Sequence, residues 1–336
     1  MSASRRNPNQ RAFNLNNLIL NHHSLREFTI AMPTFDLDKD IPDLSGKIIL
    51  VTGGNTGLGK ETVLQLSKHK PAHIFLAARS EFKALAAIED IRKAVPNAAP
   101  ITYLNLDLGS FDSIKKAATD FHAKSQQLHI LINNAAISAT PAGTTKEGYE
   151  IQFGTNHIGH ALLTKLLLPI LKKTAAATPP QDVRIVTVAA AAETFSAFTE
   201  SYDFDKLKTD MASTPTFTRY GISKLANVHY ARALSRRHPE IKSVSLHPGF
   251  VNTNLSSGLA ASWPILKPIL LFFGLFLSNV STGVKNQLWV SVSPEVKSGE
   301  FYFPVGVAGC GSKHSYDRDL EEQLWEWTEE ELEKHA

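Results

Sequence analysis

Two hydrophobic periods alternate along most of this chain. Short, nearly unbroken apolar runs lie at 47–52, 72–77, 101–106, 129–133, 183–188, 242–246 and 300–303. IILV, HILI and RIVTV lack the in–out alternation of a half-exposed strand, so they predict strands buried on both faces. Between them run longer stretches of helical spacing at 57–69, 81–95, 110–125, 146–173, 217–238 and 280–292. In the fourth, Ile151, Ile158, Leu162, Leu163, Leu166 and Ile170 recur at three- and four-residue intervals. Strand–helix–strand alternation of this kind predicts an α/β fold: a doubly wound parallel sheet with helices on both faces, forming one domain.

Three segments stand outside the alternation. Residues 1–43 are Asn-rich with little periodicity and read as an N-terminal extension; 44–336 read as the domain. Residues 250–279 form a long insertion containing SWPILKPILLFFGLFLS, apolar and broken by Pro264 and Pro268. Its unbroken run from Ile269 to Leu277 is half the length a membrane-spanning helix needs. The insertion is expected to cap a lipophilic substrate, with docking to a membrane surface or to a second subunit as the competing reading. The C-terminal DLEEQLWEWTEEELEKHA places Leu320, Leu324 and Trp327 on one face of an acidic helix.

Composition narrows the function classes. With 35 Lys plus Arg against 32 Asp plus Glu, the formal charge is only +3, and no basic block suggests nucleic acid. The single Cys310 excludes an internal disulfide and a Cys-based zinc site, which fits a reducing compartment such as the cytoplasm. His157 and His160 are three apart but lack a carboxylate or thiol companion at metal-ligand spacing, so no metal is expected.

The chemistry begins at Thr52–Gly59, TGGNTGLG, where the first strand gives way to a helix. Glycines there let backbone approach a pyrophosphate, whose charge a helix N-terminus favours. Gly54-x-x-x-x-Gly59-Lys60 nearly spells an NTPase phosphate loop, but Glu61 stands where a magnesium-binding hydroxyl is required. The dinucleotide reading, through Gly53, Gly57 and Gly59 with Asn55, Thr56 and Leu58 between, is preferred. Some 20 residues on, where NAD-binding strands carry an acid for the ribose, this chain has Arg79 and Ser80. A guanidinium there suits a 2′-phosphate, so NADP(H) is the expected cofactor. Tyr220 and Lys224, four apart, share one side of a helix. A neighbouring ammonium should lower the phenol's pKa towards neutrality and let it exchange a proton with a carbonyl or alcohol.

Taken together, these stretches resemble the short-chain dehydrogenase/reductase family, and most closely its retinol dehydrogenase and WW-domain oxidoreductase branch. Beyond the glycine loop the resemblance rests on LDL with Asp107, NNAA at 133–136, NHIGH with Asn156, Tyr220-Gly-Ile-Ser-Lys224, and HPGFVNT at 247–253. It implies that Asp107 and Leu108 contact adenine. It implies that Asn134 and Ala135 line the cofactor, and that Pro248, Gly249, Val251 and Thr253 border the nicotinamide. By the same resemblance Lys224 holds the nicotinamide ribose, Asn156 anchors a proton-relay water, and the strand order is 3-2-1-4-5-6-7. The expected activity is NADP(H)-dependent reduction of a lipophilic aldehyde or ketone, or oxidation of the alcohol, with Tyr220 as general acid/base.

One departure matters. The family places a catalytic serine just after the fifth strand; here RIVTV runs into Ala189, Ala190, Ala191 and Ala192, with Ala190 at the serine position. Four explanations stand open: Thr194 or Ser196 substitutes, the substrate is activated, the serine was removed by engineering, or the scaffold serves a non-redox reaction such as isomerisation, dehydration or cyclisation.

Overall fold

The computed structural model describes residues 35–177, 182–198, 202–249 and 280–335. The expected architecture is borne out: seven strands form one all-parallel sheet in the order 3-2-1-4-5-6-7. They are β1 (Ile48–Thr52), β2 (His73–Ala78), β3 (Ile101–Asn105), β4 (Ile130–Asn133), β5 (Arg184–Val188), β6 (Lys242–Leu246) and β7 (Phe301–Tyr302). The helices are α1 (Gly57–Ser67), α2 (Glu81–Ala94), α3 (Phe111–Lys124), α4 (Gly159–Ala175), α5 (Thr216–Arg237), α6 (Val280–Val292) and α7 (Arg318–Glu333).

The unbroken apolar runs have the cause inferred for them. In β1, Leu50 joins one core, shared with α3, α4, α5 and α7 residues such as Phe121, Leu167, Tyr230 and Leu324. Its neighbours Ile49 and Val51 join a second core on the other face, with Val63, Ile88 and Leu288 from α1, α2 and α6. A side-chain period of two with both faces covered leaves neither face of the strand to solvent. Because β1 pairs with both β2 and β4, successive crossovers leave it in opposite directions, and a crevice opens at the strands' C-terminal ends.

Two boundaries shift. The domain begins before residue 44: Phe35 and Ile41 are buried in the second core, so 35–43 are docked rather than an extension. Residues 1–34 and the insertion at 250–279, with the capping, membrane and dimer expectations attached to it, lie outside the described residues. The fourth helix starts at Ile151 rather than 146, because residues 144–150 close a turn in which Thr144 bridges Glu150 and Gly148 takes φ +87°. Glu150 then caps the helix by accepting from the Phe153 amide at 2.6 Å. Residues Gly154–Ile158 pass through a π turn before α4 proper. Among the described residues, no helix is long and apolar enough to cross a membrane.

Candidate active site

At the crevice, the glycine loop is shaped by what cannot be there. Gly53 and Gly57 hold φ of +66° and +52°, values that favour glycine. A Cβ on Gly59 would lie 2.2 Å from the Gly53 carbonyl oxygen, and one on Gly54 would lie 2.7 Å from Leu76 Cγ. The first turn of α1 is therefore seated directly on the end of β1, with Asn55, Thr56 and Leu58 at the rim and Thr56 exposed. Lys60 turns away to pair with Asp90 at 2.6 Å, and Glu61 accepts from Gln65. The NTPase reading loses its lysine as well as its hydroxyl.

Further along the crevice, Arg79 is exposed at the end of β2 and makes no ion pair among the described residues. Ser80 accepts weakly from the Lys83 amide, at 3.5 Å, as the N-cap of α2. Asp107 accepts from the Gly109 amide at 3.0 Å, and Leu108 is buried where Gly159 of α4 presses on its carbonyl. Thr52 and Asn134 turn their side chains inward. Asn134 Nδ2 donates to the Thr52 carbonyl at 2.8 Å, and the Thr52 hydroxyl receives the Asn134 and Ala135 amides at 2.9 and 3.0 Å. What Thr52 offers a ligand is the loop it holds, since its own hydroxyl is fully buried.

Tyr220, Lys224 and Asn156 come together beside the end of β5. Asn156, in the π turn, is wholly buried, and its amide is saturated: Oδ1 accepts from Ile137 N at 2.9 Å, while Nδ2 donates to the Ile137 carbonyl and to Ser223 Oγ. Its main-chain carbonyl in turn lies 3.0 Å from His160 Nδ1. Lys224 Nζ donates to the Val188 carbonyl at 2.8 Å, which also receives Asn227 Nδ2 at 3.2 Å. The ammonium lies 5.6 Å from the Tyr220 ring centroid. Burial lowers Lys224 to about 7 and pushes the Tyr220 phenol well above its usual value. The lowered phenol expected from four-residue spacing is thus corrected: desolvation outweighs a partly neutralised neighbour.

Ala189 and Ala190 are both buried at the end of β5, with no hydroxyl. The segment Ala191–Phe198 that follows is a 3₁₀ helix packed on α5; a Cβ on Gly221 would lie 2.6 Å from the Ala192 carbonyl oxygen. Thr194 and Ser196 donate their hydroxyls within this turn, to the carbonyls of Ala191 and Glu193. Buried Glu193 grips Ser312 through both its amide and its hydroxyl, at 2.8 and 2.6 Å. Below the segment, Arg219 and Glu150 form a buried ion pair at 2.6 Å between the starts of α5 and of the Asn156 turn.

The histidines of NHIGH do not converge on a metal. His157 reaches Thr328 of α7 at 3.1 Å, whereas His160 reaches Thr52 at 2.8 Å. No group of three metal-ligating side chains occurs among the described residues. Beyond β6, Pro248 and half-buried Gly249, at φ +87°, lead out of the sheet, while Val251 and Thr253 lie outside the described residues. Asn286 of α6 holds this exit, its Nδ2 donating to the carbonyls of His247 and Tyr302 at 2.8 Å each. Of the supporting groups, Ser223 lies inside the Tyr220–Lys224 stretch but was not singled out from sequence; Asn227, Asn286 and Glu193 carried no local signal.

Comparison with known proteins agrees with this geometry. The short chain dehydrogenase family model matches residues 47–201. A short-chain dehydrogenase/reductase of Armillaria gallica is 41% identical over 304 residues, covering 88% of this chain and 93% of its own length. An uncharacterized oxidoreductase of Schizosaccharomyces pombe is 38% identical over 315 residues, 91% of each chain. In fold, the chain resembles the NADPH-bound carbonyl reductase from chicken fatty liver at TM-score 0.55 and 24% identity, over 77% of this chain and 96% of that one. It resembles likewise a 3-ketoacyl-(acyl-carrier-protein) reductase from Brucella melitensis complexed with NADH, at TM-score 0.56 and 20% identity, over 77% and 96%. With a nucleotide-type glycine loop, a doubly wound sheet and relatives of this closeness along most of its length, the chain belongs to the short-chain dehydrogenase/reductase family of oxidoreductases.

Proposed function

We propose that this oxidoreductase uses NADP(H) to reduce a lipophilic aldehyde or ketone, or to oxidise the matching alcohol, with Tyr220 moving the proton. The observation that carries the reading is the buried Tyr220–Lys224 pair, linked through buried Ser223, Asn156 and His160 to the root of a loop where a Cβ on Gly59 would collide with backbone. The residues present fit a dinucleotide. Gly53, Gly57 and Gly59, with Asn55, Thr56 and Leu58, would take the pyrophosphate at the N-terminus of α1. Exposed Arg79, with half-buried Ser80 beside it, would take the 2′-phosphate, which is the argument for NADP(H) over NAD(H). Asp107 and Leu108 would meet adenine, Asn134 and Ala135 the cofactor's inner side, and Pro248, Gly249, Val251 and Thr253 the nicotinamide. When bound, the dinucleotide supplies or accepts the hydride.

The chain's own part is proton handling and positioning. A phenol raised by burial is protonated at neutral pH, so Tyr220 rests as a donor, suited to carbonyl reduction. Lys224, near 7 and tethered to Val188, would hold the ribose side of the site, and Asn156 would anchor the relay water. Ala190 offers no hydrogen bond to the reacting oxygen, a loss of roughly 100- to 1000-fold in rate for such a donor. Phe195 and Phe217, 46% and 45% exposed, flank the Tyr220 turn and support a lipophilic substrate.

The test is deuterium transfer from 4-deuterated NADPH or NADH to a panel of aromatic and aliphatic aldehydes and ketones, read by mass spectrometry. Label should appear in the alcohol with NADPH preferred, and Arg79→Asp should weaken NADPH about tenfold or more while sparing NADH. Equal use of both cofactors by the unaltered chain would overturn the NADP(H) assignment. Absence of label across the panel would overturn hydride transfer and bring the non-redox reading forward.

A further inference from the structure

We infer that His160 is a positioning residue, fixed as its Nδ1–H tautomer, that joins the root of the glycine loop to the turn carrying Tyr220. Two independent constraints define the tautomer. Nδ1 lies 3.0 Å from the Asn156 carbonyl oxygen, which can only accept, so Nδ1 must carry the proton. At the other nitrogen, Nε2 lies 2.8 Å from Thr52 Oγ1. That oxygen already receives two amides, from Asn134 and Ala135, which fill its two lone pairs. Its single proton must go outward, and the alternative acceptor, the Ile132 carbonyl at 3.4 Å, is beyond ordinary O–H···O length. Thr52 therefore donates to Nε2, which must be bare. Both arguments give one proton arrangement, and it leaves His160 neutral.

The chain of bonds does not stop at Asn156. Asn156 Nδ2 donates to Ser223 Oγ at 3.0 Å, and Ser223 donates to the Tyr220 carbonyl at 2.7 Å. Thr52, His160, Asn156 and Ser223 are all buried, so no exposed water competes for these bonds. A continuous path thus runs from the last residue of β1 to the main chain of Tyr220, and His160 is the member that joins Thr52 to Asn156. Buried networks with every donor and acceptor matched specify one geometry, and removing one member leaves its partners unsatisfied. Loss of His160 strands the Thr52 hydroxyl on one side and frees the Asn156 turn on the other. The expected consequence is on the setting of Tyr220 against the glycine loop, hence on turnover more than on cofactor affinity.

The tautomer arm stands on geometry alone; the kinetic arm rests on the reading of Tyr220 as proton donor. For the first, the full chain labelled with ¹⁵N-histidine is examined by NMR between pH 6 and 8, His160 being assigned by loss of its signals in His160→Asn. A protonated Nδ1, a bare Nε2 and no titration are expected. An Nε2–H tautomer or a titrating ring overturns the inference whether or not the protein reduces any carbonyl. For the second, His160→Phe and His160→Asn are compared at equal folded concentration with NADPH and an aromatic aldehyde. His160→Phe, which keeps the ring's shape and removes both bonds, should lower kcat about tenfold or more with the NADPH Kd changed less than threefold. His160→Asn, whose carboxamide can still donate to the Asn156 carbonyl, should recover part of that loss. Equal kcat in both variants and the parent, with only the unfolding midpoint lowered, would show a purely structural histidine and overturn the inference.

Discussion

The two sides of the crevice are built by opposite means. On the glycine-loop side the decisive feature is missing side chains: Gly59 sits so close to Gly53 that one methyl group would collide with backbone. On the Tyr220 side the decisive feature is crowded polar side chains, with Lys224, Asn156, Ser223 and Arg219 all buried and hydrogen-bonded. The first side is defined by steric exclusion within one short stretch. The second depends on partners drawn from five segments of the chain. A tight backbone turn tolerates only glycine but asks for nothing else, whereas a buried polar network is lost when any single member loses its match.

That contrast sets four expectations, beginning with the largest. Tyr220→Phe removes the proposed proton donor while leaving the ring's volume, and should lower carbonyl reduction by roughly 100- to 10,000-fold. NADPH binding, followed by nicotinamide fluorescence, should change little; retained turnover would move the donor role elsewhere. Next, Ala190→Ser supplies a hydroxyl at the proposed serine position and should raise reduction by up to roughly 100-fold. No gain in an already active protein would mean that the substrate does not need that bond or that another group makes it. On the opposite side, Gly59→Ala forces a shift of backbone and should cost about 1–3 kcal/mol in stability and weaken dinucleotide binding measured by calorimetry. Gly143→Ala, where a Cβ meets nothing within 4 Å, is the matched control and should be neutral.

The smallest effect is one of pH. Lys224 titrates near 7 when folded and near its ordinary, much higher value when unfolded. Above pH 7 the unfolded chain therefore binds more protons at this site, and stability rises with pH. From pH 7 to 8 the parent should gain about 1 kcal/mol relative to Lys224→Met, read from urea midpoints. A flat difference would place the ammonium in a less desolvated setting.

The same contrast explains what could be read from sequence. All seven strands were legible because both faces of the sheet are covered, so each strand advertises itself as an apolar run, whereas their order came from the family resemblance alone. The glycine loop was legible because exclusion leaves a residue-type signature in consecutive positions. The setting of Tyr220 was not. Spacing put Lys224 beside it, but the sign of the pKa shift depends on how completely both are desolvated and on Val188 capturing the ammonium. The start of the Asn156 helix was missed by five residues because the helical period continues through a turn closed by Gly148 and capped by Glu150. The docked stretch 35–43 was missed because Phe35 and Ile41 are too widely spaced to form a period, yet both are buried.

Asn286 has a consequence for protein engineering. Its one amide nitrogen fastens the carbonyls of His247 and Tyr302, so the strand end from which the chain leaves and the strand beside it are tied to the helix on which the chain returns. The take-off and landing points of residues 250–279 are thereby fixed by contacts that include none of the intervening residues. Closing a longer loop between fixed ends costs only about 0.6 kcal/mol per doubling of its length. This position is consequently a grafting socket: segments of other length and chemistry can be exchanged there, with Asn286 kept, without redesigning the sheet beneath.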